Sequence, residues 1–423
     1  MISTPLRGVN KAHDEAIQKT FNMIRSKTSA LLSAYNKIFI AYSGGVDSHV
    51  LLHLLREIYQ DKKGIKLVAI HVNHGVSPKA QKWVEHCRKI CKKLAIEYIT
   101  KKISLKNKSC NDYSPEEILR KLRYEIFAKI LPKGACLVTA HQADDQAETL
   151  LLQLFRGAGP KGLAAMPENI KFAGGYLARP LLKSSRQEIL AYASKYKLQW
   201  LEDESNANTK FDRNLIRHEV MPLIKKRWPA IITTLNRASK HCFEASELLN
   251  ILAEKDLQEV VSLNNVDILD ITLLKKLSVM RQKNVLRYWF YKLSLPMPSE
   301  VKMREVIRTV INSRYDAMPM VKWLGAEVRR FRDNLYAMPP LEPFDKEKSL
   351  PVLNKIKSKV ARELKLNPKK IKICFRQGGE KVKIAGRQGT HDLKKLMQEW
   401  SIPPWLRDRI PLVYFGKYIV AII

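Results

Sequence analysis

The chain has 423 residues, 45% of them hydrophobic, which is enough for a sizeable core and more than one domain and excludes global disorder. Lys and Arg outnumber Asp and Glu by 75 to 41, a formal charge of +34 that points to a polyanionic partner. No long apolar span is visible and MISTPLRGVNKAHDEAI lacks an apolar signal core, so membrane and secretion give way to nucleic acid in the cytoplasm.

In chain order, residues 14–35 predict a helix leading into an apolar strand, KIFIA. The strand runs into Ser43-Gly44-Gly45-Val46-Asp47-Ser48 and then directly into a leucine-rich helix. Two glycines permit a tight turn and a close approach of backbone to a ligand. The helix start adds unpaired N–H groups and a positive dipole end, which together suit phosphate. A Walker loop would need a lysine after its glycines, and none follows here. The Asp47 carboxylate would repel bare phosphate, so it is assigned as a ligand of bridging Mg²⁺. The plainer alternative is an ordinary strand-to-helix turn capped by Ser48.

LVAIHVNH (67–74) predicts a second buried strand, followed by a helix from Lys79 to Leu94 and a third strand, IEYITKKIS (96–104). SPEEILRKLRYEIFAKIL has a Ser114 cap, a Pro115 start and helical spacing. CLVTAHQ (136–142) is a further strand, and DDQAETLLLQLFRG a helix ending at Gly157. Strands alternating with helices predict an α/β fold with a doubly wound parallel sheet. Such sheets bind ligands beyond the carboxyl ends of their strands, where the Ser43 loop, His71–His74 and His141–Asp145 should converge.

Asp144, Asp145 and Glu148 crowd one helix start. Acids there complement the helix dipole. Three of them on the same rim as the phosphate loop favour a metal or a cationic substrate instead. Arg213 and Arg217 lie four apart on a predicted helix, where they could address phosphates or form a solvated basic face.

From about Trp228 helices dominate, MPPLEPFDKEKSLP (338–351) reads as a linker, and alternating strands around one short helix, LKKLMQEW, close the chain. The predicted organisation is a catalytic domain over 1–225, a helical domain over 226–340, a linker over 341–351 and a small α+β domain over 352–423. Arg376, Lys394, Lys395 and Arg407 in the last domain are candidate RNA contacts, whereas Trp400 and Trp405 fit a core role. Six scattered cysteines contain no C-x-x-C pair. His86, Cys87 and Cys91 fit a buried helix face better than a metal site, and the thiols are expected to be free.

SGGVDS resembles the loop of the PP-loop family, the N-type ATP pyrophosphatases. With HVNHG, HQADDQAETLLLQLFRGAGPKGLAAM and DRNLIRHEVMP, and with FRQGGEKVK, LKKLMQEW and PPWLRDRIPLVY at the carboxyl end, nearly the whole chain resembles the bacterial tRNA(Ile)-lysidine synthetases. One departure is Gly75-Val76-Ser77, where that family often has arginine. The resemblance implies a ligase using ATP and Mg²⁺ to join free L-lysine to C2 of cytidine 34 in tRNA(Ile) with a CAU anticodon. The cytidine is first adenylated, with release of pyrophosphate and then AMP. It implies that Ser43 to Ser48 bind ATP, that Asp47, Asp144, Asp145 and Glu148 are catalytic, and that the last three hold lysine. Arg213, Arg217, Arg376, Lys394, Lys395 and Arg407 would bind tRNA; a homodimer is left open. The alternatives are a PP-loop tRNA thiolation enzyme, which commonly relies on paired cysteines, and a non-catalytic RNA-binding protein with a vestigial nucleotide site.

Overall fold

The computed structural model describes residues 6–423 apart from 74–79, 104–114, 203–207, 263–264, 347–352, 354–356, 358, 364, 383–388, 417 and 423. Ser114, Cys110, His74 and the departure at Gly75-Val76-Ser77 therefore lie outside the described residues. Two compact units divide the chain, Met1–Leu248 and Leu249–Ile423.

Unit 1 is built on β1 (Lys37–Ala41), β2 (Lys66–Asn73), β3 (Glu97–Lys102), β4 (Cys136–Val138), β5 (Asn169–Phe172) and β6 (Gly175–Ala178). They form one sheet in the order β3-β2-β1-β4-β6-β5, parallel except for the β5–β6 hairpin. Alternate residues of each strand enter different cores, as the period of two requires. Ile38, Ile40, Ala69, Cys136 and Val138 join one cluster, which takes in Phe21, Leu51, Cys87 and Ile189. Phe39, Val68, Ile70 and Leu137 join the other, with Phe127 and Leu131. The strands therefore read as continuous apolar runs because both faces are covered.

Four helices supply the first cover: α1 (Leu6–Leu32), α2 (Val46–Tyr59), α3 (Ala80–Lys93) and, later in the chain, α7 (Arg186–Lys195). On the other face lies α4 (Pro115–Ile130). β1 has β2 on one side and β4 on the other, so strand order reverses between β1 and β4. A crevice opens where the connections leaving these two strands part in opposite directions. From β1 the chain enters the Ser43 loop; from β4 it enters His141 and α5 (Ala143–Phe155). After α5 come α6 (Pro160–Leu163), α8 (Asp212–Leu215), a π-helical turn over Ile216–Val220, α9 (Met221–Arg227) and α10 (Ile231–Val260).

Unit 2 carries the helix Val279–Lys292 and an antiparallel sheet of five strands, β7 (Val261–Ser262), β8 (Asn265–Asp270), β9 (Met320–Trp323), β10 (Ala326–Phe331) and β11 (Asn334–Met338), ordered β7-β8-β11-β10-β9. This sheet shares a core with Trp289, Phe290, Val306 and Val310. The sequence reading of 226–340 recognised its helices and not this sheet. Buried charges hide it: Glu327 is fully buried with Arg329 2.7 Å away, and Arg330 turns inward to the carbonyls of Ser313 (2.7 Å) and Ile311 (3.1 Å). At the carboxyl end, strands Ile371–Phe375, Pro411–Phe415 and Tyr418–Ile422 pair antiparallel beside the helix Leu393–Glu399, an α+β arrangement as expected. Among the described residues, no helix is long and apolar enough to cross a membrane.

Candidate active site

The Ser43 loop is held open by its own side chains. Ser43 Oγ and Ser48 Oγ are 3.0 Å apart, the Gly44 N–H donates to Ser48 Oγ (3.2 Å), and Ser48 Oγ donates to the Gly45 carbonyl (2.9 Å). The N-cap of α2 is Gly45, with no side-chain cap, so Ser48 serves the loop from within the helix and does not cap it. Unclaimed N–H groups at a helix start are what a phosphate needs. Gly44 has φ +91°, and a Cβ there would sit 2.9 Å from Cys87 Sγ and 3.2 Å from Trp83. Only glycine fits both the backbone conformation and the space. Val46 and Ser48 are buried, while Asp47 stays accessible at 32% side-chain exposure.

Across the crevice α5 begins with a reciprocal cap. Gln142 accepts from the Asp144 N–H (3.3 Å), and Asp145 Oδ2 accepts from the Gln142 N–H (3.0 Å). Asp145 Oδ1 and both oxygens of Glu148 receive two guanidinium forks. Arg213 donates to Glu148 Oε2 and Asp145 Oδ1, each at 2.9 Å. Arg217 donates to Glu148 Oε1 (2.7 Å), Glu148 Oε2 (2.8 Å) and Asp145 Oδ1 (3.0 Å). The Glu148 side chain is 3% exposed. Burial opposes the charge on Arg213, but Asp145 and Glu148 outweigh it and raise its affinity for the proton. Arg213 and Arg217 thus face carboxylates of the same chain.

Asp144 and Asp47 are held differently. Lys225 Nζ donates to Asp144 Oδ1 (2.7 Å), and the Arg186 N–H donates to Asp144 Oδ2 (3.3 Å). The Arg186 side chain reaches Asp47 Oδ1 at 2.5 Å. Arg186 and Lys225 are both 42% exposed, so these two cations can exchange with solvent ions or ligands. Burial pushes the Asp47 carboxyl above its usual range; Arg186 pulls it back and Asp145 adds to the rise. Four carboxylates therefore meet four cations, and the pocket is close to neutral in a strongly basic chain.

His141 lies beside them with Nδ1 2.8 Å from Thr139 Oγ1. Burial, with Arg179, Arg120, Arg213 and Arg123 nearby, holds its imidazole well below the usual range, so it is neutral at pH 7. Sequence reasoning did not foresee Arg186 or Lys225. The Ser185–Glu188 capping box that starts α7 was the available signal for Arg186.

Residues 13–224 match the PP-loop domain model, 269–336 the TilS substrate binding domain and 371–423 the TilS substrate C-terminal domain. The tRNA(Ile)-lysidine synthase of Coxiella burnetii is 40% identical over 407 residues, covering 93% of this chain and 89% of the relative. This chain belongs to the tRNA(Ile)-lysidine synthase family. The tRNA(Ile)-lysidine synthase of Legionella pneumophila strain Paris is also 40% identical, covering 93% of this chain and 92% of its own length. A solved structure, the U34-tRNA thiolase NcsA from Methanococcus maripaludis, has 21% identity and a TM-score of 0.45, covering 53% of this chain and 80% of that one. At that level the likeness carries no functional argument.

In the C-terminal family domain, Lys394 and Lys395 are exposed at the start of a helix capped by Asp392. Arg376 instead turns to Glu380 (3.5 Å) and Asp408 (3.6 Å). Arg407 is buried, donating to the Ile402 carbonyl (2.8 Å) with its guanidinium 5.7 Å from the Phe331 ring centre. Trp405 is half-buried beside Phe331 and Tyr336, and Trp400, read as a core residue, is 46% exposed.

Proposed function

We propose that this chain ligates free L-lysine to C2 of cytidine 34 in tRNA(Ile) bearing a CAU anticodon, in the cytoplasm, by forming a carbon–nitrogen bond. The observation that carries the reading is 40% identity to lysidine synthases across nearly the full chain. The site supports it, because a phosphate loop and an acidic helix start face each other at the strand-order reversal. In this reading 1–225 performs the chemistry, while 226–340 and 352–423 grip the tRNA through exposed cations such as Lys394 and Lys395.

The Ser43–Ser48 loop binds the phosphates of ATP. The C2 carbonyl oxygen of cytosine attacks the α-phosphate and pyrophosphate leaves, which turns a poor leaving group into AMP. The lysine ε-amine then attacks C2 and expels AMP. The donor set fits Mg²⁺, since the accessible Asp47 offers hard oxygen at the loop and its present partner, Arg186, is itself exposed enough to give way to an ion. Held by Asp47, that ion would offset charge on the phosphates.

An attacking amine must lose its proton, and a free lysine amine has a pKa of roughly 10.4. Both oxygens of Asp145 and of Glu148 already accept from Arg213, Arg217 or the Gln142 N–H. Asp144 also accepts at both oxygens, from Lys225 and the Arg186 N–H, but Lys225 is exposed and displaceable, which makes Asp144 the carboxylate best placed to orient the amine and take its proton. Asp145 and Glu148 shape the lysine site, and Arg213 and Arg217 hold them in place. A thiolation chemistry draws no support from Cys87, Cys91 and Cys136, whose buried thiols are each pushed up to about 12.

The test is turnover with a CAU tRNA(Ile) transcript, ATP and lysine. AMP and pyrophosphate should form, and the nucleoside at position 34 should gain the mass of lysine less water. Formation of ADP and phosphate would sink the scheme.

A further inference from the structure

Trp228 has no role in the chemistry above, yet it is fixed and exposed. The residue is 58% exposed, although its backbone N–H donates to the Ile224 carbonyl (2.8 Å) and its backbone carbonyl accepts from the Ile231 N–H (3.0 Å). Neighbouring Ile224, Ile231 and Ile232 turn into a core with Leu151, Ile216 and Met221. The tryptophan does not follow them. A buried tryptophan hides roughly 150–250 Å² of surface, so leaving one in water forgoes a large gain.

The residue closes α9, whose last turn is Lys225-Lys226-Arg227. Basic residues at a helix C-terminus complement its dipole, which explains the charges without any ligand. It does not explain an indole among them. The Arg227 guanidinium lies 5.7 Å from the indole centre and steadies the ring. Lys225, three residues earlier, reaches Asp144 in the pocket. At about 1.5 Å of rise per residue, the indole is mounted roughly 5 Å further along the helix than the lysine that touches the site.

We propose that Trp228 is a stacking platform for an unpaired anticodon-loop base beside the modified cytidine, with Lys226 and Arg227 taking the flanking phosphates. The inference rests on the proposed tRNA substrate and assigns an RNA contact at the very start of the 226–340 segment, within the same compact unit as the pocket. The chemistry commits to single-stranded RNA: an aromatic face accepts any base, and the adjoining cations match the backbone between bases.

The test uses the full chain and a CAU anticodon stem-loop with 2-aminopurine beside position 34, without ATP or lysine. Wild type should quench the probe, and Trp228→Ala should abolish the quench and weaken binding by roughly 5- to 100-fold. Trp228→Tyr should keep affinity within about threefold, since it retains a stacking face. Unchanged affinity in Trp228→Ala overturns the platform. So does equal loss in both variants, or a lowered melting temperature in Trp228→Ala that accounts for its weaker binding. Because no lysine is present, a failure of ligation would overturn the proposed reaction and leave this result standing.

Discussion

Arg186 donates to Asp47 Oδ1 at 2.5 Å and so joins the start of α7 to the start of α2. Both side chains are partly exposed, and an ion pair of this kind contributes about 1 kcal/mol or less. Its value is therefore in charge placement. Asp47→Asn is expected to slow AMP and pyrophosphate formation by roughly 100-fold or more, because the carboxylate that would hold Mg²⁺ against the developing phosphate charge is lost. Affinity for tRNA, measured by filter binding, should stay within error. A matching loss of tRNA binding would mean that Asp47 holds the fold.

The acids of α5 separate into two kinds. Glu148 is buried under two guanidinium groups, so Glu148→Ala leaves both to share Asp145 alone and should cost about 3 kcal/mol in urea unfolding. Asp144→Ala should cost about 1 kcal/mol or less and instead raise the KM for lysine. Lys225→Met, which uncovers Asp144, should lower that KM. Equal stability losses in the two acid variants, with lysine dependence untouched, would return Asp144 to a purely structural role.

Gly44 and Gly64 make a matched pair, with φ +91° and +87°. Alanine strains either backbone by roughly 1–2 kcal/mol. Only at Gly44 does the added Cβ meet side chains, Cys87 and Trp83; nothing lies within 4 Å at Gly64. Gly44→Ala should abolish ATP binding by calorimetry, whereas Gly64→Ala should bind ATP normally. Normal ATP binding in Gly44→Ala would show that the loop has another route to its shape.

Acid should weaken unit 1. Burial lowers the proton affinity of His49, His53, His71, His86 and His141 below the ordinary value of 6.5, His49 to about 4. The unfolded chain then binds more protons than the folded one as pH falls below 6.5, so stability drops over that range. For His49 alone the loss is on the order of 1–2 kcal/mol by pH 5. Urea midpoints at pH 7.5 and 5.0 measure it, and a midpoint that rises on acidification contradicts the burial of these rings.

The exposed lysines of the C-terminal domain should behave as partners of RNA phosphate. Replacing Lys394 and Lys395 by Glu is expected to weaken tRNA binding and to flatten its log–log salt dependence by roughly 0.7–0.9 for each phosphate no longer neutralised. Arg407→Lys is the contrast, because Arg407 already serves the Ile402 carbonyl and should act through stability. An unchanged salt slope in the double variant would move the RNA path elsewhere.

KIFIA followed by SGGVDS was legible because a strand covered on both faces leaves no polar residue after Lys37 to blur it, and because paired glycines punctuate the chain. The crowd of acids at 144–148 was equally plain. Their partners were not. A sequence displays charge without showing which opposite charge it will meet, and Arg186 is 139 residues from Asp47 while Arg213 is 65 from Glu148. Arg213 and Arg217 therefore read as available to phosphate until folding set them on carboxylates. The sheet of β7 to β11 escaped for a related reason: Glu327 and Arg330 interrupt the apolar alternation that marks a strand, and the Ile311 and Ser313 carbonyls that receive the buried Arg330 lie 19 and 17 residues away.

The distance along the chain between acids and cations also sets the order in which the pocket can be completed during synthesis. β1 to β6 and α5 all precede Arg179 in the chain, so Asp145 and Glu148 are synthesised before the cations that pair with them. Arg213, Arg217 and Lys225 come off the ribosome later. Until then the nascent domain has a sheet but also an acidic hollow without its counter-charges, a costly state for carboxylates that end up buried. The last segment of the domain thus acts as a latch, and a nascent chain stopped short of it is held back from the finished site.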